Sequence, residues 1–66
     1  MRDLNTIANR LIRLRGRKSQ EEVANDIGIS ASTISMYEQG RRMARDEIKV
    51  RLANYYNVTV QELFFD

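Results

Sequence analysis

The stretch that decides the fold is QEEVANDIGISASTISMYEQ, residues 20–39. Apolar residues recur at helical spacing in each half of it; they are Val23, Ala24, Ile27, Ile34 and Tyr37. Gly28 separates the halves, and glycine ends helices because it adopts the left-handed conformation without a Cβ penalty. We therefore expect two short amphipathic helices that join at a tight turn, completed by Ile29, and cross closely at the small Ala24.

The second of these helices should run over residues 31–39 and present small or neutral side chains outward: Ala31, Ser32, Ser35 and Met36. Such side chains permit close approach to another surface. Two helices around a tight turn form a helix-turn-helix, whose second helix enters a DNA major groove. Two neighbouring hydroxyl residues are also candidates for DNA contact. Ser30 is the expected N-cap, and Thr33 is either a base or phosphate contact or plain helix surface.

Composition limits the function classes. The 66 residues predict one small helical domain over 1–66, and they include no cysteine and no histidine. Their absence removes disulfides, thiolate metal sites, the commonest general base and the commonest metal ligand. We therefore expect no enzyme, no metal and no cofactor. Because no apolar run could span a membrane and the N-terminus lacks the apolar region of a signal peptide, we expect a cytoplasmic protein without membrane contact.

Positive charge is concentrated in two places although the net charge is only +2. The first basic cluster consists of Arg10, Arg13, Arg15, Arg17 and Lys18. The second basic cluster consists of Arg41, Arg42 and Arg45. Two such clusters on either side of a neutral helix fit a surface that holds a nucleic-acid backbone while the helix reads bases. The alternative is that both clusters are solvated faces of ordinary helices.

Three further segments have the apolar spacing of amphipathic helices. In residues 4–14 the stripe consists of Leu4, Ile7, Ala8, Leu11, Ile12 and Leu14. In the segment that follows residue 46, the inward residues are Ile48, Leu52, Ala53 and Tyr56. A short last helix should bury Val60, Leu63 and Phe64, which leaves Phe65 facing outward.

Caps and turn residues predict where the helices begin and end. Two segments match the capping box S/T-x-x-E, Ser19 to Glu22 and Thr59 to Glu62. The other expected N-caps are Ser30 and Asp46. The expected C-terminal ends lie at Gly16, Gly28, Gly40 and Asn57.

Five motifs together resemble the Cro/CI-type helix-turn-helix family of phage repressors and small bacterial regulators. They are L-I-R-L-R, S-Q-E-E-V-A, D-I-G-I-S, S-T-I-S-x-Y-E-x-G and L-A-N-Y-Y-N-V-T-V-Q-E-L. The resemblance covers nearly the whole chain. It implies an all-α, lambda-repressor-like fold of five short helices with the helix-turn-helix at helices 2 and 3. It also implies a sequence-specific regulator of double-stranded DNA, a repressor of phage or mobile-element type that occupies an operator.

The resemblance also implies roles for single residues. Gln20 matches the glutamine that opens helix 2 and binds a DNA phosphate, and Arg41 matches a basic residue that contacts the backbone. Arg13 and Glu38 match an arginine–glutamate pair that ties helix 1 to the end of helix 3. The outward positions of the recognition helix are matched by Ala31, Ser32, Ser35 and Met36.

The chain departs from the family pattern in several places. Arg17 and Lys18 stand where relatives often have a glycine and an aliphatic residue. Ala44 replaces a usual proline, and Lys49 occupies a usual aliphatic position in helix 4. The recognition helix lacks the glutamines with which many relatives read adenine.

Two other functions are weighed beside DNA-binding regulation. One is an antitoxin-like module whose main duty is to bind a partner protein, with DNA binding secondary. The other is RNA binding, against which the absence of an exposed aromatic cluster argues.

We expect a homodimer, because one recognition helix contacts too few base pairs to select a genomic site. The expected interface lies near the C-terminus and comprises Tyr55, Phe64 and Phe65. The alternative is that the last residues fold back and Phe65 covers its own core.

Overall fold

The computed structural model describes residues 3–65, and these residues form helices and connecting turns without a strand. The elements are α1 (Leu4–Arg15), α2 (Gln20–Ile27), α3 (Ala31–Glu38), α4 (Asp46–Tyr56) and a π-helical segment (Gln61–Phe65). The all-α class with five helical elements is thus confirmed. Within residues 3–65, no helix has the length and apolarity needed to cross a membrane.

Side-chain caps begin α2 and α3 as predicted. The Oγ atom of Ser19 accepts the Glu22 N–H at 3.0 Å, and the Oγ atom of Ser30 accepts the Thr33 N–H at 3.1 Å. Each cap accepts one backbone N–H that has no partner within the helix. The start of each helix can therefore be predicted from a few neighbouring residues. Gly28 ends α2 in the left-handed conformation, with φ 79° and ψ 34°.

In the last part of the chain, the helix boundaries also lie at predicted residues. Asn57 ends α4 with φ 60°, in place of glycine. Thr59 and Glu62 form both bonds of a capping box, each 2.9 Å long. The predicted last helix is π-helical from Gln61 to Phe65, which is a wider winding than an α-helix.

The start of α4 differs from the prediction that Asp46 caps it. Arg45 holds the cap position, with the extended backbone angles φ −71° and ψ 164°, and makes no side-chain cap bond. Its carbonyl accepts the N–H groups of Ile48 and Lys49, so Asp46 is already the first helical residue. There the Asp46 carboxylate lies 3.6 Å from the Lys49 ammonium, one helical turn on.

The core joins one face of each helix. Its buried residues are Ile7, Leu11, Val23, Ala24, Ile27, Ile34, Tyr37, Ala44, Ile48, Leu52, Leu63 and Phe64. Each large apolar side chain among them contributes about 1.5–3 kcal/mol by leaving water. The predicted stripe on α1 was one residue too wide, because Ile12 is 44% exposed. The helix meets the core along Ile7, Leu11 and Leu14, and Ile12 lies at the margin of that line.

Gly40 brings the end of α3 close to the start of α1. Its φ is 71°, and a Cβ atom there would lie 2.8 Å from Asn5 Oδ1 and 3.5 Å from the Leu4 carbonyl oxygen. The positive φ favours glycine here, and a Cβ atom would also displace the Asn5 side chain. The loop that carries the second basic cluster begins at this point and leads to α4.

Candidate nucleic-acid interface

One face of α3 packs inward and the opposite face is open. Ile34 and Tyr37 are buried at 3% and 6% exposure, whereas Ser32 and Met36 are exposed. Ser35 is half-buried on the same outward face. Ala31 is also half-buried and packs against the core with part of its surface. The structure thus brings the predicted base-reading side chains together on one short helix.

Hydroxyl groups at the start of α3 form a small network. The Oγ atom of Ser30 lies 3.1 Å from Ser32 Oγ and 2.7 Å from Thr33 Oγ1. Each hydroxyl can donate once and accept twice. Ser30 Oγ uses all three positions on these two hydroxyls and on the Thr33 N–H, whereas the hydroxyls of Ser32 and Thr33 keep bonding capacity. The face can therefore offer both donors and acceptors to a ligand.

Gln39 is a residue of this face that the sequence reasoning missed. It is exposed, and its Nε2 donates to Ser35 Oγ at 2.6 Å. The signal for it was the separation of four residues from Ser35, which places both side chains on one helical face. Its amide therefore stands at the C-terminal end of α3, on the outward face.

The second basic cluster is exposed beside α3. Arg41, Arg42 and Arg45 make no ion pair and no side-chain hydrogen bond with any residue in the described range 3–65. Two of them, Arg42 and Arg45, line an open cleft of about 230 Å³ together with Thr33. Thr33 therefore lies on the side of α3 toward α4, beside cations. Among residues 3–65, acidic side chains do not group as metal ligands.

Gln20 begins α2 and is half-buried. Its Nε2 donates to Glu38 Oε1 at 3.0 Å, so the side chain bridges the start of α2 and the end of α3. The positive end of the α2 dipole lies at this residue and favours an anion.

The arginine that pairs with Glu38 is Arg15, and the prediction of Arg13 was wrong. The Arg15 Nε lies 2.7 Å from Glu38 Oε2 and its Nη2 lies 3.0 Å from Oε1. Arg13 is exposed. Two residues correspond to roughly 200° around an α-helix, so the two side chains cannot reach the same partner. Since α1 continues to Arg15, its last residue is the one that meets the end of α3.

Two other cations of the first basic cluster also bind within the domain. The Arg10 Nη1 donates to the carbonyl oxygens of Glu62 and Leu63, at 2.5 and 3.5 Å. The Lys18 ammonium donates to the Tyr55 hydroxyl at 2.8 Å, and that hydroxyl bond raises the pKa of Lys18. Part of this cluster therefore stabilises the scaffold.

The pair of Arg15 and Glu38 accompanies two shifts in pKa. The hydrogen bonds that Arg15 donates to Glu38 raise the pKa of Arg15. Burial, and then the negative charge of Glu38, raise the pKa of the Tyr56 hydroxyl to about 12. Glu38 contributes to both shifts, as the hydrogen-bond acceptor of Arg15 and, after burial, as a negative charge near Tyr56.

The three predicted interface residues lie in different surroundings. Phe65 is 55% exposed, with the Lys49 ammonium 5.1 Å from the centre of its ring. Phe64 is only 2% exposed, so its prediction as an interface residue is corrected to core. Phe64 and Phe65 are adjacent, so their side chains point in different directions, and only the ring of Phe64 packs into the core. Tyr55 is half-buried and its hydroxyl donates to Asp26 at 2.6 Å.

Comparison with known proteins agrees with these features. The helix-turn-helix family profile matches residues 10–63. The cryptic phage CTXphi transcriptional repressor RstR of Vibrio cholerae is 42% identical over 48 residues, which are 73% of this chain and 43% of the relative. The chain thus spans less than half of that relative's length. No solved structure gives a significant match. With five matching motifs, the family profile and this fold, the chain belongs to the Cro/CI-type helix-turn-helix family.

Proposed function

We propose that this chain binds double-stranded DNA sequence-specifically and acts as a repressor of phage or mobile-element type by occupying an operator. The observation that carries the proposal is the open face of α3, with Ser32, Ser35 and Met36 outward and the second basic cluster beside it. A relative named as a phage transcriptional repressor supports the same function.

Base reading is assigned to α3. The hydroxyls of Ser32 and Ser35 can pair with donors or acceptors on base edges, and the Met36 side chain suits the methyl group of thymine. Ala31 allows the helix to approach closely. Contacts of this kind carry the sequence preference, because each base pair presents a distinct pattern in the major groove.

Backbone binding is assigned to the residues around α3. Arg41, Arg42 and Arg45 have charges that no described residue neutralises, which suits phosphate contact by counterion release. Gln20 supplies an amide donor at the start of α2. Thr33 adds a hydroxyl group to the cleft, where it can bind a phosphate oxygen, and Ser30 holds that hydroxyl through a hydrogen bond of 2.7 Å.

Selection of binding sites from random duplex DNA tests the function. The wild type should enrich a defined sequence, and Ser32→Ala or Ser35→Ala should change the preference at one or two base pairs by about 1–3 kcal/mol. Asn54→Ala, an exposed change on α4, is the control and should leave the preference intact. Enrichment of no sequence by the wild type would contradict the proposal.

We also propose that two copies pair through the surface around Phe65. Phe65 and Val50 are both exposed apolar side chains, and they supply area for self-association. Pairing would place two recognition helices about one DNA turn apart. Sedimentation should show a dimer that Phe65→Glu dissociates and that Ile12→Glu, at another exposed apolar residue, leaves intact. A wild type that stays monomeric at high concentration and binds a single half-site tightly would contradict pairing.

A further inference from the structure

We infer that Glu38 is a positioning residue that orients Gln20 for a DNA phosphate, an inference that rests on the proposed function. Three helix ends meet at the Glu38 carboxylate. Arg15 is the last residue of α1, Gln20 the first of α2 and Glu38 the last of α3. We name these three residues the Glu38 junction.

The Glu38 junction is closely bonded and removed from water. The Glu38 side chain is 5% exposed, and it accepts donors of Arg15 at 2.7 and 3.0 Å and the Gln20 amide at 3.0 Å. The remaining Arg15 nitrogen, Nη1, donates to the Lys18 carbonyl at 2.7 Å and so holds the turn that leads into α2. The Glu38 carboxylate therefore accepts three donors, two from Arg15 and one from Gln20.

A carboxylate determines which end of the Gln20 amide faces it. An ionised carboxyl group only accepts hydrogen bonds, so Gln20 must present Nε2 rather than Oε1. That nitrogen carries two N–H groups, and the bond to Glu38 uses one of them. The other N–H stays available at the half-buried start of α2, where the helix dipole favours an anion.

Phosphate oxygens accept hydrogen bonds, so the contact needs a donor. Glu38 orients the Gln20 amide so that its free N–H donor is in place before DNA binds. Gln20 then loses little rotamer freedom on binding. A structural role for Glu38 alone would predict something different, because Glu38 and Gln20 would then affect DNA affinity independently.

A double-mutant cycle separates the two roles. Glu38→Gln offers one carboxamide oxygen to three donors and adds an N–H₂ group, so it should release Gln20. The probe is a mixed-sequence duplex of roughly 20 base pairs, since phosphate contacts do not depend on sequence. Affinities are measured at low salt for the wild type, Glu38→Gln, Gln20→Ala and the double variant, under conditions in which circular dichroism shows each to be folded.

We expect each single variant to weaken binding about 3- to 10-fold. The double variant should lose no more affinity than the single variant with the larger loss, as for coupled residues of one network. The control cycle combines Glu38→Gln with Arg42→Gln, whose effects should multiply. If the effects of Glu38→Gln and Gln20→Ala also multiply, Glu38 is only scaffold and the inference is wrong. If Gln20→Ala has no effect, the phosphate contact is wrong and the inference with it. A wild type that does not bind the duplex contradicts the proposed function itself.

A measurement on the wild type covers the case in which Glu38→Gln does not fold. The side-chain amide protons of Gln20 should exchange with water more slowly in NMR spectra than those of Asn25, which is exposed on α2. Addition of the duplex should shift the Gln20 amide resonances and leave those of Asn25 in place. Equal exchange rates for both side chains would overturn the inference.

Discussion

The two basic clusters have the same chemistry but use it differently. In the first basic cluster, Arg10, Arg15 and Lys18 direct their charges to carbonyl, carboxylate and hydroxyl oxygens of the chain itself. In the second basic cluster, no ion pair or side-chain hydrogen bond joins a cation to another residue within the described range 3–65. Among residues 3–65, all three charges of the second cluster are thus available for a ligand, whereas three cations of the first are already bonded.

The difference comes from what surrounds each cluster. The first lies at the end of α1, where other helix ends present carbonyl groups without helical partners and where Glu38 is buried. The three arginines of the second cluster are exposed on the loop that connects α3 to α4. Arg51 on α4 behaves like the first cluster, because its guanidinium donates to the Ile27 carbonyl at the end of α2. A count of charges along a sequence therefore overstates the surface available to DNA.

The strongest test of this comparison is Arg15→Met. Removing the guanidinium leaves the Glu38 carboxylate buried without its charge partner, which should lower the free energy of unfolding by about 3–5 kcal/mol. Arg13→Met, in the same cluster but exposed, should change it by less than about 0.5 kcal/mol. Urea unfolding of both variants measures the difference, and equal losses would contradict the assignment of Arg15 to the scaffold.

The second basic cluster should show the reverse behaviour. Replacing Arg41 and Arg42 by glutamine should weaken duplex binding roughly 30- to 100-fold at about 0.1 M salt, because each lost phosphate contact lowers the salt slope by about 0.9. The free energy of unfolding should change by less than about 0.5 kcal/mol. Anisotropy titrations over a range of salt measure the slope, with Lys18→Gln as the control that should leave it unchanged. A loss confined to one sequence would show that these residues read bases.

Alkaline pH should weaken the region around the Glu38 carboxylate. Folding raises the pKa of the Tyr56 hydroxyl to about 12, so the folded chain keeps this proton where the unfolded chain has lost it. This contribution to stability is therefore full below about pH 10 and should be lost progressively as the pH rises toward 12. Urea midpoints between pH 8 and 12 should decline less in Tyr56→Phe than in the wild type. An identical decline would show that Tyr56 does not cause it.

The smallest expected effect concerns Arg10. Its guanidinium donates to two carbonyl groups of the C-terminal segment, so Arg10→Met should lower the free energy of unfolding by about 1 kcal/mol. Arg17→Met, at an exposed residue of the same cluster, should be close to neutral. If Arg17→Met cost as much, the first basic cluster would not divide into scaffold and surface residues.

Much of the fold and of the candidate site could be predicted. Ser19, Ser30 and Asn57 act on backbone groups within a few residues, so their roles could be recognised without tertiary structure. The outward face of α3 follows from helical periodicity in the same way. The roles of Gln39 and Arg15 were not predicted, because each depends on which of several possible partners a long side chain reaches.

The sequence by itself determined the number of helices, their ends to within a residue or two, and the face of α3 that stays open. These properties depend on local spacing and on capping, which act over a turn of helix. Only the tertiary structure decided that Glu38 pairs with Arg15 rather than with Arg13. The reason is geometric: the choice between such neighbouring residues depends on how separate helices approach one another, which no local pattern records.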